Sequence, residues 1–486
     1  MAMRRWGVFP ELLLVGLTMG CTLEPLPACR RADGEDERCC DAWAYVENGR
    51  CVMRTWRRLH EATPLGERAS RPSLDVDRSG RVWLAYEEAS DEASTVVLAR
   101  ESGATWELDY PSFGVDGFNQ EPRVAAVDDD HSAVVWLRSG TGQELQTLVR
   151  VGIKGGHLVE PPGGGLFSFS PLAYQHEVLA HADGELAITW NQGLDSGHRR
   201  GVCIATRGAG ETAFQRPKNQ LDVVSRSFIF SNNPEFARND RGDMVITWFE
   251  SIGEKLRVLP SERRGVDGPF TIAHDEDALS PPEGDVENPE PAIAEDGRAA
   301  IVWRQVLPDG KMAAFLSERP SNGSWSRPAI GEPFGPIADN VWNTRISFTR
   351  SGDLYVVWEQ KIGEDWSILL AHRDASGRWV APGDAPLRLS AQAAIEPVMK
   401  VAPDGTVVVA WRARVGSRFR VMARRSSVQA EGVTEGERWS QAVVLSGEGG
   451  DAGTPALAVA RDATSRGHRF VAAWTQDGRI YSASLD

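Results

Sequence analysis

The sequence predicts an all-β protein: an eight-bladed β-propeller of four-stranded antiparallel blades that follows a small cysteine-rich segment. A 16-residue unit such as NPEPAIAEDGRAAIVW (288–303) occurs eight times, at intervals of roughly 50 to 63 residues. No stretch shows a convincing helical pattern. The units end at Tyr86, Trp136, Trp190, Trp248, Trp303, Trp358, Trp411 and Trp474, the last one after a longer loop.

Each unit is typical of two strands joined by a tight turn. A proline lies near the start of six units, where the loss of an N–H is tolerated. Asp-Gly or Ser-Gly in the middle suits the positive φ of a hairpin. The closing apolar runs, such as AIVW (300–303) and VVVAW (407–411), lack strict alternation and predict a strand buried on both faces.

The third and fourth strands of each blade have weaker signals. The third tends to end in arginine: Arg100, Arg150, Arg207, Arg263, Arg319, Arg373 and Arg424. The fourth begins with a glycine turn and an aromatic residue, as in NGSW (322–325) and SGRW (376–379). The eighth repeat has three strands, so we expect residues 54–60 to supply its fourth strand and to close the ring, which removes exposed sheet edges.

These glycine-aromatic turns carry a family resemblance. RDASGRW (373–379) and ERPSNGSW (318–325) resemble the Asp-box, S-x-D-x-G-x-x-W, of the sialidase/BNR-repeat superfamily. The resemblance covers residues 54–486 and implies a β-propeller. No unit carries the whole box, and family sialidases usually have six blades rather than eight.

The first position of each unit is polar. Because propeller ligands bind at one mouth of the channel, the sequence predicts a ring of hydrogen-bonding groups for a hydroxyl-rich ligand at Glu121, Gln175, Asn233, Asn288, Asn343 and Glu396, with Arg71 and Thr454 in the remaining units. The residue two positions on shares the same strand face. The alternative is that these side chains only satisfy loop backbone and water.

The resemblance also implies catalytic candidates. Sialidases use three arginines, an acid and a tyrosine nucleophile assisted by a glutamate. The matching residues here are Arg123, Arg345, Glu235, Glu290 and Tyr174, with Arg71 a poor third arginine. The F-R-I-P segment that supplies one family arginine has no match, which favours binding over catalysis.

Residues 1–20 have the pattern of a lipoprotein signal peptide. Arg4 and Arg5 precede a short apolar stretch, and LTMGC (17–21) resembles a bacterial lipobox, which implies lipidation of Cys21. Thr22 resembles the sorting residue of outer-membrane lipoproteins. Cleavage without lipidation, giving a periplasmic or secreted protein, is the alternative.

Residues 21–53 are predicted to be a cysteine-rich spacer before the propeller of residues 54–486. An even number of cysteines is crowded into this short polar segment: Cys29, Cys39, Cys40 and Cys51. In an exported protein this pattern predicts two disulfides with three possible connectivities. A zinc site is the alternative, but no CxxC spacing is present. Cys203 lies in an apolar strand and is predicted to be a buried free thiol.

Charge and composition limit the partners. The net charge of −15 and the absence of a basic block after residue 5 argue against nucleic acid. No cofactor is expected; the acidic segment 273–291 could hold Ca²⁺, although a solvated loop is the simpler interpretation. We therefore expect a monomeric, membrane-anchored extracytoplasmic binding module for a glycan or an envelope protein. The alternatives are a sialidase-like glycoside hydrolase or lyase that uses Glu235 or Glu290, and a scaffold in an envelope complex.

Overall fold

A computed structural model describes most of the chain. The described residues are 44–47, 50–53, 56–58 and 65–485, with gaps at 103–104, 110–116, 140–144, 155–156, 170–171, 195–198, 220–221, 226–229, 338–339, 381–385, 427–438 and 462–467. None of the helical segments in this part of the chain is long and apolar enough to cross a membrane.

Two compact units make up the chain, Met1–Arg54 and Thr55–Asp486. The first contains an antiparallel hairpin of β1 (Ala44–Glu47) and β2 (Arg50–Met53). Cys21, Cys29, Cys39 and Cys40 lie outside the described residues, and Cys51 is described only as a backbone position in β2. The predicted lipidation and disulfides are therefore untested by this structure.

The second unit is all-β, as predicted, and its sheets are small and antiparallel. After β3 (Trp56–Arg58), repeats 1 and 2 contain β4 (Ala69–Val76), β5 (Val82–Ala89), β6 (Ser94–Ser102), β7 (Thr105–Asp109), β8 (Phe118–Ala126), β9 (Ser132–Ser139), β10 (Leu145–Lys154) and β11 (His157–Val159). Repeats 3 to 5 contain β12 (Ala173–Ala180), β13 (Leu186–Gly193), β14 (Arg200–Arg207), β15 (Ser231–Arg238), β16 (Met244–Ile252), β17 (Lys255–Arg263), β18 (Val286–Ile293), β19 (Ala299–Val306) and β20 (Met312–Arg319).

The remaining strands belong to repeats 6 to 8. They are β21 (Val341–Phe348), β22 (Leu354–Ile362), β23 (Asp365–Arg373), β24 (Trp379–Val380), β25 (Leu387–Arg388), β26 (Ala394–Val401), β27 (Val407–Val415), β28 (Arg418–Arg425), β29 (Val443–Val444), β30 (Ala456–Arg461), β31 (His468–Gln476) and β32 (Arg479–Leu485). The one helical turn in the described residues is a 3₁₀ turn, Asp275–Asp277.

Every repeat uses the same strand order. The first strand, which we call the inner strand, pairs with the second, and the second pairs with the third. Each inner strand contacts the inner strand of the next repeat, and β30 of the eighth repeat contacts β4 of the first. Strand β3, which precedes the first repeat, pairs with β32, with Trp56 opposite Leu485. The sheet of the eighth repeat therefore combines strands that lie far apart in the sequence.

Eight tryptophans form the centre of the core. They are fully buried in the second strands: Trp83, Trp136, Trp190, Trp248, Trp303, Trp358, Trp411 and Trp474. Each contributes roughly 4 kcal/mol of apolar burial. In the first repeat the position of the repeated tryptophan is taken by Tyr86, as the sequence indicates, and Trp83 adds an indole three residues earlier; both are buried.

Four of these eight indoles have a local acceptor that the sequence analysis missed. The Nε1 of Trp190, Trp303 and Trp358 donates to the glutamine two residues on, and Trp248 donates to Glu250 in the same way, over 2.6 to 3.1 Å. Residues i and i+2 lie on one strand face, which makes this bond local. A buried donor is thereby satisfied without a partner from another sheet.

The prediction of four strands in every blade is wrong for repeats 3, 4 and 5, which have three strands each in the described residues. The predicted starts at 267–270 and 322–325 form no ladder; instead, one backbone bond joins Thr271 N to Glu262 O (2.8 Å) and another joins Ser326 N to Glu318 O (2.7 Å). Pro269 and Pro328 lie beside these bonds and lack the N–H that a longer ladder needs. Conversely, repeat 2 has a poor fourth-strand sequence (GGHLVEPPGGG, 155–165) with no aromatic residue after its glycine turn, and it does form β11.

Candidate functional site

Seven inner strands have a residue in the left-handed backbone region at their third or fourth position. The φ values lie between +36° and +56° at the first unit positions Arg71, Glu121, Gln175, Asn233, Asn288, Asn343 and Glu396. The strand register shifts at each of these positions, which marks a β-bulge. Left-handed non-glycine residues are costly and concentrate at functional sites. The predicted ligand ring is therefore also a ring of unusual backbone.

The bulges direct backbone N–H groups to neighbouring repeats. The N–H of Asn233 donates to Gln175 Oε1 (2.7 Å), and the N–H of Glu396 donates to Glu359 Oε2 (2.5 Å). The carboxylate of Glu87 accepts from the N–H of Glu121 in the same manner. These three bulges thus link their repeats to the preceding ones by hydrogen bonds.

Some predicted ligand-ring side chains are already engaged within the protein. Gln175 Oε1 also accepts from Asn191 Nδ2 (3.1 Å), and Glu396 Oε2 accepts from Arg412 (2.9 Å) and Thr454 Oγ1 (2.5 Å). Asn343 donates to Glu359. Within the described residues, no hydrogen bond reaches the side chains of Glu121, Asn233 and Asn288, so these three remain available to a ligand.

A cavity of about 670 Å³ opens at this end of the inner strands. It is lined by the first positions of repeats 1 to 4, by residues of repeat 8 and by side chains deeper in the channel: Arg71, Glu121, Gln175, Asn233, Thr454, Arg123, Glu177 and Glu235 among others. Such a volume matches a small-ligand site. The lining is rich in amides and carboxylates, which suits hydroxyl groups.

The residues two positions further along form a charged arc. Arg123 Nε pairs with Glu177 Oε1 (2.9 Å), and Arg345 pairs with Glu290 Oε2 (3.1 Å). Glu235, from the repeat between those of Glu177 and Glu290, completes the arc. The structure therefore brings four of the five catalytic candidates, Arg123, Glu235, Glu290 and Arg345, into one channel.

Glu235 is the member of the arc without a cation of its own. Burial raises the pKa of Glu235 well above its ordinary value, and the neighbouring charges of Glu177 and Glu290 raise it further. Burial also raises the pKa of Glu290, although Arg345 opposes the shift. A carboxyl group whose pKa is raised in this way holds its proton to a higher pH than an ordinary glutamic acid, which makes Glu235 a candidate proton donor.

A second cavity of about 580 Å³ continues from the first, since both are lined by Arg123, Glu177 and Glu235. It adds two charged residues that the sequence analysis missed, Asp75 and Lys400. Both lie two positions beyond the arc on the same strand face, so the period of two could have found them. Burial raises the pKa of Asp75 to about 6, against hydrogen bonds from the N–H groups of Ala126 and Val76.

The remaining arginine and tyrosine candidates, Arg71 and Tyr174, differ in position. Arg71, the proposed third arginine, pairs with Glu87 (3.1 Å) at the mouth. Tyr174 does not line either cavity; its ring lies against Arg200, whose Cζ is 4.1 Å from the ring centroid. A nucleophilic role for Tyr174 is therefore not supported by its position.

Other sequence features have simple structural roles. Cys203 is buried and free, as predicted. In the acidic segment 273–291, Asp275 and Glu276 are exposed, and no cluster of three potential metal ligands occurs in the part of the chain that is described. The RGD tripeptide (241–243) forms a hairpin turn in which Gly242 has a φ of +85°.

Comparisons with known proteins return structural neighbours only. No protein-family model and no curated protein matches the chain. Solved structures that resemble it include an ulvan lyase bound to -[GlcA(1-4)Rha3S]- (9% identity, 89% of this chain and 94% of the other, TM-score 0.47). The polysaccharide lyase Uly1 (10%, 91% and 94%, 0.46) and the Hadza microbial sialidase Hz136 (10%, 89% and 96%, 0.39) are further examples. What this chain does must follow from its own side chains.

Proposed function

We propose that this chain is a glycan-binding module, built as a closed eight-bladed β-propeller whose mouth recognises a hydroxyl-rich saccharide. The contact of β30 with β4 and the pairing of β3 with β32 support ring closure. The eight repeats, each with at least three strands and a buried tryptophan, support the blade count; repeats 1 and 2 share one eight-stranded sheet through the parallel pair of Ser94 and Phe118.

The observation that carries the binding role is the mouth cavity with its left-handed polar residues. Glu121 and Asn233 line this cavity, and no protein hydrogen bond from the described residues uses their side chains. Amide and carboxylate groups at fixed positions recognise sugar hydroxyls by paired hydrogen bonds. Because the bulges hold the backbone rigidly to neighbouring repeats, little conformational entropy is lost on binding.

The test is a glycan array probed with the full-length chain, with the mass of each retained glycan measured before and after incubation. Retention without a mass change supports the binding module. In the matched variants Glu121→Gly and Asn233→Gly, glycine keeps the positive φ and deletes only the side chain; we expect each to weaken binding at least tenfold. Asp309→Gly, in an exposed turn, should bind like the unmodified chain. The proposal is contradicted if both mouth variants retain glycans as well as the unmodified chain does, or if the unmodified chain retains no glycan.

Glu235 favours a second candidate, a glycoside hydrolase or lyase. A buried carboxyl group with a raised pKa, next to other carboxyl groups, is an arrangement suited to acid catalysis. Arg123 and Arg345 on either side could hold an anionic sugar. A change in glycan mass that Glu235→Gln abolishes, while binding persists, would establish this activity and displace the simple binding module.

We further propose that the module is a monomer tethered to the outer membrane through lipidated Cys21, with two disulfides among Cys29, Cys39, Cys40 and Cys51. The lipobox-like LTMGC sequence supports the anchor, and the even cysteine count supports the disulfides. Mass spectrometry of the mature N-terminal peptide tests the anchor directly. An unmodified Cys21 thiol would refute it, and Cys21→Ala should release the protein into the soluble fraction.

A further inference from the structure

Trp342 is the one tryptophan in the inner strands of the described chain, and it is 38% exposed, whereas the tryptophans of the second strands are buried. It immediately precedes Asn343, the left-handed first position of repeat 6. Its register partner is Glu359 in β22. Trp342 therefore lies at the mouth end of its strand, beside the predicted ligand ring.

One face of this indole is covered by Arg304. The guanidinium Cζ lies 3.3 Å from the ring centroid, and the Arg304 side chain is itself buried and paired with Glu287. Indole Nε1 donates to Asn340 Oδ1 (3.2 Å). Because a buried cation fixes one face and a hydrogen bond fixes the edge, the exposed part of the ring is the opposite face, held in a set orientation.

We propose that the free face of Trp342 is a stacking platform for one pyranose ring of a β-linked hexose glycan; this inference rests on the proposed glycan-binding function and names a contact within it. A β-linked gluco-configured ring presents a flat face of axial C–H groups, which packs on an indole, while its equatorial hydroxyls point outward. A guanidinium beneath the indole adds rigidity without blocking that face.

Polar groups for those hydroxyls lie beside the platform. Asn343 is the next residue, and Asn288 belongs to the adjacent inner strand, where its carbonyl oxygen accepts from Thr344 Oγ1 (3.4 Å). The side chain of Asn288 makes no hydrogen bond to the described residues. An aromatic face bordered by amides is the combination that specifies a sugar ring, since the face selects the C–H surface and the amides select hydroxyl positions.

Repeat 3 has the same arrangement at the equivalent position. Tyr174 precedes the left-handed Gln175, and Arg200 lies over its ring at 4.1 Å. The other repeats place Ser70, Gln120, Asn232, Glu287, Ile395 and Gly453 at this position. An aromatic ring backed by an arginine thus occurs in two of eight repeats, which gives the mouth end a second, smaller platform.

The experiment is ¹⁹F NMR of the full-length chain labelled with 5-fluorotryptophan, titrated with cellohexaose and with N-acetylchitohexaose. The resonance missing from Trp342→Phe identifies Trp342. We expect this resonance to shift on binding, Trp342→Ala to lose at least tenfold in affinity, and Trp342→Phe to retain most of it. Trp379 is the matched control, since it is also exposed and lies over an arginine, Arg373, at 5.5 Å; its resonance and the affinity of Trp379→Ala should not change.

The outcomes separate the platform from the function. If a hexaose binds while the Trp342 resonance stays in place and Trp342→Ala binds within twofold, the platform is wrong and glycan binding stands. If neither hexaose binds but other glycans on the array do, the β-linked hexose assignment is wrong. If no glycan binds, the proposed function fails and this inference fails with it.

Discussion

Glu185 and Arg263 form a bidentate ion pair across the boundary between repeats 3 and 4. The two N–O distances are 2.5 and 2.9 Å, and both side chains are at most 3% exposed. The same carboxylate also accepts from Nε of Arg238 (2.7 Å), whose side chain is fully buried. Arg238 also pairs with Asp183 (2.5 Å), so two acids and two arginines join the two repeats by charge as well as by apolar contact.

Glu185→Gln should reduce the free energy of unfolding by about 3 kcal/mol, because it leaves the buried guanidinium of Arg263 without its carboxylate partner. Urea denaturation at pH 7 measures the change. The control is Arg68→Gln, which breaks a pair with Asp91 whose side chains are 58% and 90% exposed; it should cost less than about 1 kcal/mol. Equal effects of the two variants would contradict the role assigned to burial.

How far the sequence predicts the fold is clear from this pair. The strands and the buried tryptophans follow from local apolar runs and turn residues, and the arginine at the end of the third strand recurs in the sequence of most repeats. The partner of that arginine cannot be predicted in the same way, because Glu185 and Arg263 are 78 residues apart and pairing between sheets depends on how the repeats pack. Fourth strands failed for the same reason: their few backbone bonds depend on neighbours and on prolines beside them.

Gln305→Met should destabilise the protein by about 2 to 3 kcal/mol. The Gln305 amide accepts from Trp303 Nε1 (3.1 Å) and donates to the carbonyl oxygens of Pro281 (2.8 Å) and Gly284 (3.1 Å), so its loss leaves three buried groups unsatisfied. Urea denaturation provides the measurement. Gln441→Met, at an exposed glutamine, should change stability by less than about 0.5 kcal/mol; a similarly small effect at Gln305 would show that these bonds contribute little.

Glu235→Gln should become progressively more stable than the unmodified chain as the pH rises from 5 to 8. The pKa of Glu235 is raised in the folded chain, so the folded state keeps a proton that the unfolded state releases above about 4.5. The stabilisation from that proton is fully present below pH 4.5. It decreases by about 1.4 kcal/mol per pH unit from pH 4.5 up to the pKa of Glu235 in the folded state. Glutamine does not titrate, so the variant lacks this decrease in stability. Unfolding curves at pH 5, 6.5 and 8 test it, with exposed Glu254→Gln as control; parallel pH profiles for both variants would refute a raised pKa.

His176 should make the protein less stable in acid. It is 3% exposed, and burial, aided by Arg123, lowers its pKa from 6.5 to about 3. Between these values the unfolded chain binds a proton that the folded chain does not, so stability falls as the pH drops below 6.5. His176→Leu should therefore lose about 2 kcal/mol less than the unmodified chain between pH 7 and pH 5. Measured unfolding free energies that fall equally in both proteins would contradict this.

The candidate site was partly predictable for a geometric reason. A period of two along each inner strand placed Arg123, Glu235, Glu290 and Arg345 on one face, and the structure brings them into one channel. The same period continues to Asp75 and Lys400, which line the same cavity. Trp342 precedes the repeated unit and therefore lies outside the pattern. The left-handed bulges were not predicted because Arg, Glu and Gln rarely adopt a positive φ, and Asn does so too seldom to signal it alone.

The left-handed positions give the last prediction. Asn288 has a φ of +51° and is followed by proline. A β-branched side chain is strained in this region, so Asn288→Val should lower the free energy of unfolding by about 1 to 3 kcal/mol, whereas Asn288→Gly should stay within about 0.5 kcal/mol of the unmodified chain. Asn322→Val is the control, because Asn322 is exposed and lies outside the set of positive-φ residues. Urea denaturation of the three variants decides the matter. If valine at position 288 is tolerated as well as at position 322, the inner strand does not need the bulge, and the ordering of the mouth must come from the side-chain contacts between repeats instead.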